Sequence, residues 1–89
     1  MAEDFQVLAK SPEVLWALTP DGILLHHMAT DKYVELGAAN RCIWEYLDGF
    51  HSVEEALARA STDPSAAVYQ AGKELVQSLL EAGFLIVEA

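Results

Sequence analysis

Asp31-Lys32-Tyr33-Val34-Glu35-Leu36-Gly37-Ala38-Ala39-Asn40-Arg41-Cys42-Ile43-Trp44-Glu45-Tyr46-Leu47-Asp48-Gly49 changes its period partway along. Lys32 to Leu36 reads as a short strand. From Gly37 the period is helical: Leu36, Ala39, Ile43 and Leu47, with Tyr46 beside the last, recur at three- and four-residue intervals and share one helix face. Asp48-Gly49 stops that helix, with Gly49 just past its end. No linker separates strand from helix, so the chain passes here from a β half to an α half.

Upstream, Val14 to Leu18 is a short apolar run closed by Thr19-Pro20-Asp21-Gly22. Pro-Asp-Gly between two hydrophobic runs is a turn, since Pro pre-sets φ and Gly accepts positive φ. Ile23 to Met28 resumes as a second strand, and Ala29-Thr30-Asp31 turns into Lys32 to Leu36. Three short strands with tight turns predict an antiparallel meander whose second strand is central, leaving the first and third as edges. Residues Met1 to Pro12 show little periodicity and are expected to form a flexible arm before a single domain from Glu13 to Ala89.

Downstream, Ser52-Val53-Glu54-Glu55 has the spacing of a capping box, in which the Ser hydroxyl and the Glu carboxylate each satisfy an amide at the helix start. Val53, Ala56, Leu57 and Ala60 give that helix its inner face. Asp63-Pro64 is expected to open a third helix, as N-cap and first residue. It runs to about Ala82, Gly83 closes it, and Phe84 to Val87 forms a last short strand. The expected fold is α+β: an N-terminal three-stranded antiparallel sheet, three helices and a short C-terminal strand, arranged as a winged helix-turn-helix.

Eighty-nine residues, 53% of them hydrophobic, make one ordered small domain that buries about 60–65% of the surface its unfolded chain exposes. Apolar content this high in so small a unit points to an interaction surface. Fourteen acidic against five basic residues give a net charge of −9. Lys10, Lys32, Arg41, Arg59 and Lys73 are scattered, which removes the phosphate contacts that nucleic acid or an anionic membrane would require. One cysteine allows no internal disulfide. The acidic start MAEDF and the absence of a long apolar run predict a cytoplasmic protein.

Chemistry-bearing residues do not assemble into a reactive set. His26 and His27 are adjacent on a strand, so they face opposite ways and cannot chelate one metal, and His51 lies far along in a turn. Cys42, beside Arg41, lacks an identifiable base and reads as a small core or boundary residue. There is no phosphate loop, nucleophile elbow or acid/base carboxylate pair, so no enzyme activity, metal or cofactor is expected. Trp44, one residue off the inner helix face, is expected to pack on the third helix or the sheet. The third helix carries two apolar stripes: Val68, Gly72, Leu75 and Leu79, and beside them Tyr69, Val76 and Leu80. Either both are buried or part of one lines a groove. Gly72 is the sharpest case, because a mid-helix glycine costs about 0.5–1 kcal/mol relative to Ala. It suits either a tight crossing inside the domain or the close approach of a ligand.

The edge strand Lys32-Tyr33-Val34-Glu35-Leu36 has charges that discourage self-pairing but no proline that would forbid an added strand. A peptide pairing here would bury less than about 1,200 Å² in total and bind reversibly. On this reading Val34→Pro should remove a ladder donor and abolish binding while the fold survives.

Asp21-Gly22-Ile23-Leu24-Leu25, Lys32-Tyr33-Val34-Glu35-Leu36, Ile43-Trp44-Glu45-Tyr46-Leu47-Asp48-Gly49, Ser52-Val53-Glu54-Glu55-Ala56 and Leu79-Leu80-Glu81-Ala82-Gly83-Phe84, in that order, resemble the PqqD-like proteins. These are the peptide-recognition elements of ribosomally synthesised, post-translationally modified peptide (RiPP) pathways. The likeness spans about residues 14 to 87. It implies a winged helix-turn-helix that has given up DNA and takes the leader of a precursor peptide as an added strand. Carried onto this chain, the strand is Lys32, Tyr33, Val34, Glu35 and Leu36, and the groove wall is Val68, Ala71, Gly72, Leu75 and Val76. The implied partners are the precursor peptide and a modifying enzyme. That enzyme is a leader peptidase in lasso-type pathways, to which the Asp31–Leu36 wording is more similar, or a radical SAM enzyme as in pyrroloquinoline quinone synthesis. A monomer or weak dimer is expected. Two departures stand out: Gly37 where the family usually has a capping Asn, and Ala71-Gly72 where Asp-Val is common. The rivals are a winged-helix DNA-binding regulator and a structural domain that dimerises through the same edge.

Overall fold

The computed structural model describes residues 6–61, 63 and 65–87. Its elements run β1 (Leu8–Lys10), β2 (Val14–Thr19), β3 (Gly22–His27), β4 (Lys32–Gly37), α1 (Ala38–Tyr46), α2 (Val53–Ala58), α3 (Ala67–Glu81) and β5 (Leu85–Val87). β2, β3 and β4 form the predicted antiparallel meander with β3 in the middle.

A two-residue turn, Pro20-Asp21, joins β2 to β3 and pairs Thr19 with Gly22. Gly22 serves this hairpin by lacking a side chain rather than by a positive φ, which only Asp31, Gly49 and Gly83 adopt among the described residues. A Cβ on Gly22 would lie 1.8 Å from the Leu36 carbonyl oxygen, so the glycine lets β4 close on β3. Asp31 (φ 56°) carries the β3–β4 turn in the left-handed region, where Asp is among the few tolerated side chains.

The expectation of a flexible arm over Met1 to Pro12 does not hold where the chain is described. β1 pairs antiparallel with β5, setting Leu8 against Val87 and Lys10 against Leu85. Leu8 is fully buried. The Gly49 amide donates to the Leu8 carbonyl at 2.9 Å, and the Ser11 amide to that of Phe84 at 3.0 Å. Residues 1–5 lie outside the described part.

The helices form the second layer. Ser52 accepts from the Glu55 amide while the Glu55 carboxylate accepts from the Ser52 amide, the capping box that the sequence predicts. α3 starts later than expected: Ala66 occupies the N-cap position without a side-chain cap. Asp63 instead accepts hydrogen bonds from the Ser65 amide and hydroxyl, folding a local turn before the helix. Pro64 lies outside the described residues. The far end closes as the sequence predicts. The Phe84 amide donates to Leu79 at 2.9 Å and the Gly83 amide to Leu80 at 3.2 Å around the positive φ of Gly83. This two-bond closure leaves Phe84 and Leu79 buried together.

The core lies between sheet and helices. Ile23 and Leu25 of β3, Leu36 of β4, Ile43 and Trp44 of α1 and Leu57 of α2 are all within 2% of complete burial, each contributing about 1.5–3 kcal/mol by leaving water. Trp44 packs edge-on against Trp16 of β2, ring centroids 5.9 Å apart. Burying Trp44 turns α1 so that Ala39, expected inside, is exposed. Cys42 is also exposed, not a core residue. From α3 the buried set is Tyr69, Gly72, Val76 and Leu79, taken from both apolar stripes.

Candidate functional site

Among the described residues, β4 has β3 on one side and no strand on the other. The groups it leaves open follow from two hydrogen bonds. The Met28 amide donates to the Glu13 carbonyl at 2.9 Å, and the Asp31 amide to the His27 carbonyl at 2.8 Å. Backbone groups of successive residues in an antiparallel strand point alternately to its two neighbours. Met28, His26, Leu24 and Gly22 therefore bond toward β2, and His27, Leu25 and Ile23 toward β4. The β4 partners of these three are Lys32, Val34 and Leu36, whose N–H and C=O groups are spent inside the sheet. Tyr33 and Glu35 direct theirs to the open edge.

This corrects the expectation for Val34→Pro, whose missing amide would break the domain's own ladder. Prolines at Tyr33 or Glu35 are the ones that would block an added strand and spare the sheet.

Side chains of β4 divide between two faces. Leu36 is buried and Val34 half-buried at the margin of the core, on the helix side. Lys32, Tyr33 and Glu35 are exposed. On the outer face Tyr33 stacks on His26 with centroids 4.1 Å apart and planes 4° from parallel. The Nε2 atom of His26 lies 2.9 Å from Asp31 Oδ1, which braces the stack at the strand's start. At the strand's other end Thr19, Pro20, Asp21, Glu35, Leu36 and Gly37 line a shallow open depression.

The proposed groove wall on α3 is split. Gly72 is buried at a crossing of three helices: a Cβ there would lie 2.8 Å from Leu57 Cδ2 and 2.9 Å from Ile43 Cδ1. Val76 is completely buried. Both residues therefore form floor beneath the surface rather than wall. Val68 and Ala71 are exposed, and Leu75 is half-buried against the core. Helical spacing sets these three on one flank, an accessible apolar strip beside the buried stripe. The C-terminal end of α3 is fixed to the sheet, with the Cβ position of Gly83 3.4 Å from Nε2 of His27, the residue paired with Lys32 of β4.

Two clusters lie outside what sequence reasoning singled out. Lys10 reaches across from β1, donates to the Leu47 carbonyl at 3.1 Å, and stands 5.8 and 5.3 Å from the rings of Trp16 and Trp44. Burial lowers its ammonium below the usual lysine range, against the opposing pull of Asp48 and Glu45. No local signal marks Lys10, because most of its partners come from one distant segment, Trp44 to Asp48, with Trp16 of β2 beside them. In the second cluster, burial acts to raise the Asp48 carboxyl, but hydrogen bonds from the Phe50 and His51 amides and contact with the His51 ring outweigh it. They hold Asp48 below its ordinary range. The first ties β1 to the C-terminal end of α1, and the second folds a local turn just after that helix. Among the described residues, no three His, Cys, Asp or Glu side chains are grouped to hold a metal ion. Among the same residues, no helix is long and apolar enough to cross a membrane.

Fold and site together define a class: a small α+β domain whose three-stranded sheet ends in open edge strands, β4 among them, and whose third helix carries an accessible apolar flank. The structure is similar to that of TbiB1, solved in complex with the TbiA(beta) leader peptide. The two align with a TM-score of 0.70 and 26% sequence identity over 86% of this chain and 93% of TbiB1. The resemblance to PqqD-like RiPP recognition elements thus holds in three dimensions as well as in sequence. No family model and no curated protein matches the chain.

Proposed function

We propose that this chain is a non-catalytic adaptor that binds the leader of a ribosomal precursor peptide by strand addition to β4 and delivers it to a modifying enzyme. The observation that carries the reading is the open β4 edge, with the backbone groups of Tyr33 and Glu35 unclaimed by the sheet. The similarity to a protein solved with a leader peptide supports it. An extended peptide gains main-chain hydrogen bonds from such an edge, and its alternate side chains seek pockets on either face. Val34 and the Val68, Ala71 and Leu75 flank offer apolar contact on the helix side.

The delivery role, a leader peptidase of lasso-type biosynthesis as recipient, a cytoplasmic setting and a monomeric or weakly dimeric state belong to the same proposal, as does reading the three helices and their flanking β-element as a winged helix-turn-helix. A radical SAM enzyme is the alternative recipient. Nothing in the site favours DNA: α3 offers Lys73 against Glu74 and Glu81, and phosphate binding draws its affinity from Lys and Arg.

The test is calorimetric titration of a precursor leader, sought among the reading frames that neighbour the one for this chain, into the native protein and Glu35→Pro. Binding to the first and a loss of at least tenfold in the second, with unchanged circular dichroism, is expected. Equal affinity for both would move the site elsewhere.

A further inference from the structure

Glu35 occupies a position in the sheet whose lateral neighbours leave its charge unanswered. On the outer face it pairs with Leu24, and Leu24 with Ala17. The row Ala17–Leu24–Glu35 therefore contains no cation. The row beside it, Leu15–His26–Tyr33, is occupied by the stack that Asp31 braces. Glu35 is exposed and makes no hydrogen bond or ion pair with a described residue. Its remaining lateral neighbour is whatever strand pairs with β4. Because the Glu35 backbone faces the open edge, an added antiparallel strand sets one residue directly opposite it, with the side chain on the same outer face.

We infer that Glu35 is a specificity-determining residue that selects a peptide carrying Lys or Arg opposite it. Opposite charges facing each other across two strands are favourable and like charges are unfavourable. The same field acts at longer range, since a chain of net charge −9 draws basic segments toward it and repels acidic ones. Alternation completes the description of the ligand. The residues on either side of the base turn to the helix side, where Val34 sits half-buried at the margin of the core, and are apolar. The preferred segment is extended and reads apolar–basic–apolar.

The inference rests on strand addition at β4, and the experiment separates the two. That precursor leader is synthesised as a series with each position in turn made Lys or Glu. Each peptide is titrated into the native protein, Glu35→Gln and Glu35→Lys at low and moderate salt. Glu35 is exposed, so the variants keep the fold. At one position Lys should bind about 2- to 5-fold more tightly than Glu, the range of a cross-strand charge pair. That preference should shrink with salt, vanish in Glu35→Gln and reverse in Glu35→Lys. Binding that is blind to charge at every position, or a preference that Glu35→Lys leaves in place, overturns the inference while strand addition stands. Failure of every peptide to bind overturns both.

Discussion

Gly72 shows how one missing side chain can serve packing where a ligand contact is equally suggested by sequence. Its helix position costs about 1 kcal/mol in propensity relative to Ala. In return α3 approaches Ile43 and Leu57 so closely that a Cβ would touch the ends of both side chains. Those ends can rotate, so Gly72→Ala should change stability by less than about 1 kcal/mol, the propensity gain offsetting the crowding. Gly72→Val adds two further carbons at the same crossing and should destabilise by about 2–3 kcal/mol. Urea denaturation of the two variants checks this, and equal midpoints would mean that the crossing has slack. Gly22 differs in kind: its obstacle would be the backbone oxygen of Leu36, which cannot rotate away.

At the scale of elements, the open strand is defined by which of its amides are already in use. Val34→Pro should cost about 1–3 kcal/mol, since it deletes a β3–β4 hydrogen bond in the middle of the domain's own sheet and leaves the facing carbonyl without its donor, whereas Glu35→Pro should leave the thermal midpoint within a few degrees. Thermal melts of the pair measure this, and the reverse order would mean that the ladder runs with the opposite alternation. The ends of elements were legible in sequence where their chemistry is local. Ser52 and Glu55 answer each other within one turn, and Gly83 with Phe84 closes α3 from residues next to it. Legibility failed where the decisive partner is remote. β1 has no signature of its own because Leu85–Val87, at the other end of the chain, make it a strand. The packing of Trp44 on the sheet is as expected from sequence, whereas the exposure of Ala39 was hidden, because the helical period does not tell which of two neighbouring faces a remote strand covers. On the site, the edge strand was readable from pattern and turns, while the division of α3 into floor and wall depends on how closely Ile43 and Leu57 approach.

For the whole molecule, the balance of charge matters more than any one ion pair. The excess of fourteen acidic residues over five basic ones is more self-repelling in the folded state than in the expanded chain. The ion pairs among the described residues, such as Arg41–Glu45 at 2.7 Å, lie at the surface and are worth little. Screening the net repulsion should therefore outweigh weakening the pairs. The thermal midpoint should rise by a few degrees between 10 and 200 mM sodium chloride, values chosen as roughly 30 and 7 Å of screening length. A midpoint that falls would show that specific pairs carry more of the stability than their exposure suggests.

The pairing of β1 with β5 brings the way in and the way out of the domain to one place, Leu8 beside Val87, while the binding edge proposed above belongs to the other sheet. Such a unit can be spliced into a surface loop of a larger protein without stretching its host, since insertion asks only that two strand ends stand side by side. Grafted this way into an unrelated enzyme, it would act as a detachable grip, bringing a chosen substrate peptide to a catalyst with no affinity for it.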